Sequence, residues 1–163
     1  MRMLTMLMCL FFTLDCAVAE SGPQCPPPEA PPPSVPADPV EALPGSDGQN
    51  IVDAINFERR KLGLRPIRFS DQLTCASSMH AAWLFRNDRC QHTGPGVQAF
   101  GNRAQICGGS ARGEVIACGQ ATHLQVVKDW LNELSHRDII MDPDMYEMGA
   151  AKLGNKWVAV LNK

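Results

Sequence analysis

Glu133 and His136 stand three residues apart in a run, 130–137, that reads as the end of a helix. That spacing lets both side chains face the same way, and a Glu-x-x-His pair is one way a helix offers a carboxylate and an imidazole to a metal. His92 opens the run His92-Thr93-Gly94-Pro95-Gly96, a turn or loop that can aim a ring into a cleft. Glu114 follows Gly113 and leads into the apolar Val115-Ile116-Ala117. A carboxylate there must be paired, hydrogen-bonded or shifted in pKa. Two imidazoles and two carboxylates are thus candidates for chemistry. They suit acid–base hydrolysis through Glu114 and a histidine, or weak uptake of Zn²⁺ through His92 and His136. Blander roles compete for each residue. Glu133 and His136 can be a solvated helix end, with His136 favourable at the C-terminal dipole. His92 can serve only to cap a turn, and Glu114 can be an acceptor for backbone N–H groups. His80 reads as a structural residue on a helix, and His123 as a surface residue at a helix start.

Standard nucleophile and phosphate motifs are missing. Gly108-Gly109-Ser110-Ala111-Arg112 lacks the final glycine of a nucleophile elbow. There is no H-E-x-x-H and no Walker loop.

The elements that must position these residues follow from periodicity. Residues 49–62 read as a helix, with Ile51, Val52, Ile55 and Leu62 on one face and Asp53, Arg59 and Arg60 outside. Gly63 is a natural C-cap, and Arg65-Pro66 forces an extended step. Ser70 or Asp71 can cap a second helix whose Leu73, Cys75, Ala76, Met79, Trp83 and Leu84 form a buried stripe. A short helix covers Phe100 to Ile106, and Glu114 to Ala117 is extended or one helical turn. Thr122 can cap a further helix with Leu124, Val127, Trp130, Leu131 and Leu134 apolar. Met148 to Leu153 and Trp157 to Leu161 read as strands joined by Gly154-Asn155, which supplies hairpin chemistry. Helices first and a hairpin last imply an α+β fold, a sheet with helices on both faces.

The first 45 residues have a different character. Residues 1–19 read as a secretory signal: Arg2, an apolar run from Met3 to Leu14, then Ala17-Val18-Ala19. Lipidation at Cys16 is an alternative. Residues 20–45 carry two triple prolines and read as an extended spacer; a docking segment for a proline-binding partner, in contact with the envelope, is the other reading. The folded domain is assigned to residues 46–163. There, fourteen Lys and Arg face twelve Asp and Glu, too weak a charge for a nucleic-acid footprint. No second apolar stretch spans a membrane. Cys75, Cys90, Cys107 and Cys118 form an even set in an exported domain and imply two disulfides. Short local loops favour Cys75–Cys90 and Cys107–Cys118. Oxidation would leave no domain cysteine as a nucleophile. Cys25 remains odd, able to link chains or stay free.

The ordered set of motifs resembles the CAP superfamily (cysteine-rich secretory, antigen 5 and pathogenesis-related proteins) in its bacterial form. Asn56, Arg59, Gly63, Pro66, Ile67, Leu73, Ala76 and His80 resemble its opening helices. His92 stands where the family places a histidine after the second helix. Gly113-Glu114-Val115-Ile116-Ala117 resembles Gly-Glu-Asn-Ile-Ala, and Trp130 through Glu133 to His136-Arg137 resembles the tryptophan helix and its His-Arg ending. Asp142-Pro143 and Met148-Gly149-Ala150 resemble the following turn and strand. Val115, Ser135 and Ile139 depart from the family pattern; Val115 and Ile139 replace polar amides. The resemblance implies a three-layer α-β-α sandwich with a mostly antiparallel sheet. It also implies a cleft gathering His92, Glu114, Glu133 and His136. It implies a secreted protein that binds a lipid or other small ligand in the periplasm, envelope or medium. A His/Glu-dependent hydrolase such as a peptidase is the second expectation, and a structural or adhesive module the third.

Overall fold

A computed structural model describes residues 47–93 and 98–163. The signal (1–19), the spacer (20–45), Cys25 and the glycine–proline turn at 94–96 lie outside the described residues. In chain order the elements are α1 (Asp47–Lys61), β1 (Arg68–Phe69), α2 (Asp71–Arg86), α3 (Phe100–Ile106), β2 (Gly113–Cys118), α4 (His123–Asn132), α5 (Leu134–Ile140), β3 (Glu147–Leu153) and β4 (Lys156–Asn162).

The four strands form one sheet in the order β1-β3-β4-β2. β1 pairs parallel with β3; the β3–β4 and β2–β4 pairs are antiparallel. Gly154 takes φ 57° in the β3–β4 turn, a left-handed conformation that costs glycine little. Successive strand residues face opposite sides, and both sides are covered. Val115, Ala117, Trp157, Ala159 and Leu161 pack with Ile51, Val52 and Ile55 of α1 and Val126, Val127 and Trp130 of α4. Ile116, Val158 and Val160 pack with Leu73, Ala76, Ala81 and Leu84 of α2 and Ala104 of α3. The result is the three-layer α-β-α arrangement.

Local chemistry sets the helix ends. The Ser70 hydroxyl accepts from the Leu73 N–H at the start of α2, and Thr122 accepts from Gln125 at the start of α4. Gly63 takes φ 70° just past α1. Some expected faces differ. Arg59 is fully buried rather than outside; it donates to the carbonyls of Arg65, Ile140, Asp142 and Met145. These carbonyls include the orphan acceptor at the end of α5, which needs a donor. Leu62, Leu124 and Leu134 are exposed. On α2 the buried row is Leu73, Ala76, Ser77, His80, Ala81, Ala82 and Leu84, while Met79 and Cys75 face outward.

The disulfides are Cys75–Cys107 and Cys90–Cys118, not the local pairs. α2 and α3 pack side by side, which brings Cys75 to the residue that ends α3. The chain leaving α2 runs past the end of β2, which brings Cys90 to Cys118. Loops closed over separations of 32 and 28 residues are worth about 3.5 kcal/mol each in the chain-entropy account. Among the described residues, no helix is long and apolar enough to cross a membrane.

Candidate functional site: a carboxylate-backed histidine pair

β2 is an edge strand. Glu114 shares the side of Ile116 and so faces α2 and α3, opposite Val115. Its side chain is only 1% exposed. One oxygen, Oε2, accepts from the Arg103 guanidinium of α3, which is itself buried. The other, Oε1, lies 2.9 Å from Nδ1 of His92 and 3.9 Å from Nε2 of the buried His80. The pairing demanded by a carboxylate in an apolar strand is therefore met by side chains, not by backbone N–H groups. Arg103 also donates to the carbonyl of Gln98, which ties the start of α3 to the same cluster.

His92 is 46% exposed, and three contacts fix its segment. The Cys90–Cys118 bridge anchors it two residues earlier. His80 Nε2 lies 3.0 Å from the carbonyl of Gln91. Glu114 then holds the ring itself. A carbonyl only accepts, so Nε2 of His80 carries the proton, and Nδ1 is a buried acceptor with no partner among the described residues.

Glu133 and His136 are not on one helix end. The chain breaks at Glu133 (φ −99°, ψ 121°), which closes α4 and caps α5. Its carboxylate accepts from the Ser135 N–H and hydroxyl. His136 therefore lies in the first turn of α5, at the positive end of the dipole rather than the negative. Glu133 Oε2 is 2.5 Å from His136 Nδ1. α5 reaches the cleft because it presses on β2 at Gly113: a Cβ there would lie 2.7 Å from the Ile139 side chain. Trp130 donates to the carbonyl of Ile116 and draws α4 onto the same strand. The rings of His92 and His136 then face each other, centroids 6.4 Å apart and tilted by 56°. Val115 is buried in the core on the far side of the sheet, and Ile139 is a packing residue. Neither departure from the family pattern strips a side chain from the histidine pair.

Burial lowers the pKa of His136; Glu133 opposes the shift and His92 adds to it. Glu133 is held low, first by the Ser135 hydroxyl. Burial also lowers His80, with Glu114 opposing and Arg103 reinforcing. A base depressed in the folded state stabilises the fold above its unfolded pKa, here 6.5. That contribution is lost as pH falls below this value toward the folded pKa, at up to about 1.4 kcal/mol per pH unit. Urea unfolding from pH 7 down to pH 5 will show this loss in the wild type. It will be smaller in His80→Gln.

The sequence leaves the cofactor open and offers zinc as one candidate. The donor types suit it, since each ring has Nδ1 turned to a carboxylate and Nε2 left over. The spacing does not. Two imidazoles on one tetrahedral zinc place their centroids about 5 Å apart, closer than the rings stand here. Among the described residues, no three His, Cys, Asp or Glu side chains are grouped to hold a metal. No chemistry of the cleft is therefore routed through one.

The structure thus brings His92, Glu114, Glu133 and His136 to one edge of the sheet. Arg103 and His80 complete the cluster, and no motif in the sequence marks them as part of it. The demand for a partner to Glu114 is legible; which cation answers it is not. His123 lies at the start of α4 and takes no part in these contacts. A separate groove between α1 and α4, about 440 Å³, is lined by Ala54, Phe57, Leu124, Val127 and Leu131 among others, and by none of the four cleft residues.

The sequence profile of the cysteine-rich secretory protein family, CAP, matches residues 52–159. This chain belongs to that family. The uncharacterized protein YkwD of Bacillus subtilis is 28% identical over 113 residues, covering 67% of this chain and 44% of its own length. The chain thus spans less than half of that curated relative. Among solved structures, an extracellular protein containing a SCP domain from Bacillus anthracis superposes with a TM-score of 0.68 at 21% identity, over 72% of this chain and 40% of that one. An outer surface protein from Borrelia burgdorferi gives 0.64 at 24% identity, over 71% and 90%. A cysteine-rich secretory protein from Staphylococcus aureus gives 0.55 at 16%, over 74% and 40%. At these identities the superpositions establish the fold.

Proposed function

We propose that this domain is exported and acts by binding a small ligand between His92 and His136, in the cell envelope or outside the cell. The observation that carries the reading is the state of Glu114. Its two oxygens are taken by Arg103 and His92, so it is a fixed holder of the ring rather than a free base. Two disulfides and relatives described as extracellular or outer-surface proteins support export. Lipid is the ligand class that the α1–α4 groove suits; a polar ligand suits the histidine cleft.

The expected result is that ligands from a polar fragment library shift the ring resonances of His92 and His136. The His92→Ala/His136→Ala variant will bind at least about tenfold more weakly, as loss of two direct polar contacts implies. Both rings are partly exposed, so the variant will keep its fold. Unchanged affinity in that variant contradicts the reading.

One observation favours hydrolysis as the second reading. Each ring is backed by a carboxylate, the arrangement that makes an imidazole a useful base. Turnover of a peptide library that His92→Gln abolishes would establish it.

A further inference from the structure

We propose that the Cys90–Cys118 disulfide is a redox-sensitive latch on the cleft: a dithiol reductant opens it ahead of Cys75–Cys107 and releases His92 while the sheet and its helices stay folded. The inference goes beyond the binding reading. It holds for a binding cleft and a hydrolytic one alike, since it concerns only what keeps His92 in place.

The two bridges are built differently. Cys75 lies inside α2, and Cys107 follows α3 with its N–H bonded to the carbonyl of Arg103. Helix backbone therefore holds both sulfurs at bonding distance, and a thiol that attacks this bridge is expelled as the bridge recloses. Cys90 has no such support. The run from Phe85 to Thr93 is exposed. Among the described residues, no backbone–backbone hydrogen bond involves Cys90, Gln91, His92 or Thr93. His80 on the Gln91 carbonyl and Glu114 on the His92 ring are the polar ties of this segment. The bridge is its covalent tie, and Cys118 at the other end closes the strand that carries Glu114.

The surroundings also favour attack at Cys90. Cys90 is exposed and Cys118 half-buried. Cys118 pairs with Lys156 across β2 and β4, so their side chains rise on the same side of the sheet, about 5 Å apart at Cβ. The Lys156 side chain is 8% exposed and reaches Asp88, 3.0 Å away and two residues before Cys90. It spans the same loop and strand that the bridge joins. A cation beside a departing sulfur stabilises the thiolate, and a stabilised thiolate leaves faster. At the other bridge the neighbour of Cys107 Sγ is the uncharged Met79 thioether, 3.8 Å away. One thiolate of the dithiol attacks Sγ of Cys90; a mixed disulfide forms there, and Cys118 departs as the thiolate and takes a proton. The second thiol, deprotonated by solvent, attacks the reductant's own bridging sulfur. Cys90 departs in turn and takes a proton. The dithiol is oxidised to its cyclic disulfide, and the two cysteines have gained its two electrons and two protons.

The test titrates the disulfide-bonded protein with dihydrolipoate. Differential alkylation with peptide mass mapping reports which cysteines become free. The nuclear Overhauser spectrum reports the contact between the His92 and His136 rings and the contacts of β2 with β4. The expected result is that Cys90 and Cys118 label at least about tenfold sooner than Cys75 and Cys107. As they label, the ring cross-peak is lost, the β2–β4 contacts remain, and reoxidation in air restores the peak. Cys90→Ser/Cys118→Ser will lose the ring cross-peak without reductant. Lys156→Met will slow the opening of this bridge roughly threefold and leave the rate at Cys75–Cys107 as it was. Cys75 and Cys107 labelling first, or all four together, overturns the inference. So does a ring cross-peak that survives once the bridge is open, a loss of the β2–β4 contacts with it, or an unchanged opening rate in Lys156→Met. None of these readouts involves a ligand, so the binding reading is tested apart from them.

Discussion

Arg103→Ala will destabilise the domain by about 3–5 kcal/mol, because it leaves Glu114 as an unpaired carboxylate in the core. Both partners are almost fully buried, so water cannot replace the guanidinium without opening the packing of α2 and α3 on the sheet. Burial already pulls the Arg103 pKa down while Glu114 holds it up, the mark of a pair whose members depend on each other. Urea unfolding at neutral pH checks the magnitude. The companion variant Arg103→Met/Glu114→Leu removes both charges and will recover most of the loss, since a buried pair and an apolar pair of similar volume are often close in stability. Yet it will not restore the site. His92 loses its acceptor, and its ring will no longer be held in one orientation. Full stability with an unlocked ring separates the role of the pair in holding His92 from its role in the core. An Arg103→Ala variant within about 1 kcal/mol of wild type, the scale of an exposed ion pair, would mean that Glu114 is not held as described.

Gly149→Ala is the second large effect. α2 crosses β3 so closely at this point that a Cβ would lie 1.9 Å from the backbone nitrogen of Thr74 and 2.2 Å from the carbonyl carbon of Leu73. Those are backbone atoms of the first turn of α2, and no side-chain rotation relieves them. The Ser77 hydroxyl also bonds to the carbonyl of Gly149 across the same contact. The helix must lift from the sheet or the strand must bow. We expect a loss at or above the roughly 3 kcal/mol upper end of ordinary overpacking, seen as a lowered thermal midpoint and a weaker His80–Gln91 contact. A variant that unfolds at the wild-type midpoint would show that α2 and β3 lie farther apart.

Much of this fold is legible in the sequence, and the reasons are local. The spacing of Ile51, Val52 and Ile55, the Ser70 and Thr122 caps and the Gly154-Asn155 turn each mark an element by chemistry within a few residues. The features that are not legible depend on partners far along the chain. β1 is two residues long and exists only because β3 lies beside it. By periodicity α5 is the tail of α4, since nothing apolar marks the break at Glu133; its own carboxylate, turned back to cap Ser135, makes the break. The buried row of α2 contains Ser77 and His80, which an apolar count passes over, and excludes Met79 and Cys75, which it favours. Closeness in sequence pairs the wrong cysteines, because the crossing of α2 over the sheet decides which sulfurs meet. At the site, family resemblance locates His92, Glu114, Glu133 and His136. It does not reveal that one carboxylate is locked to a guanidinium and the other sits half in solvent.

The convergence of His92 and His136, carried by segments 44 positions apart in the chain, is tested most directly by the nuclear Overhauser spectrum of the oxidised protein. A cross-peak between the ring protons of these two histidines is expected, together with contacts from His80 to the Gln91 segment. A protein that shows the cross-sheet contacts of β2 with β4 but no peak between the two rings would contradict the account.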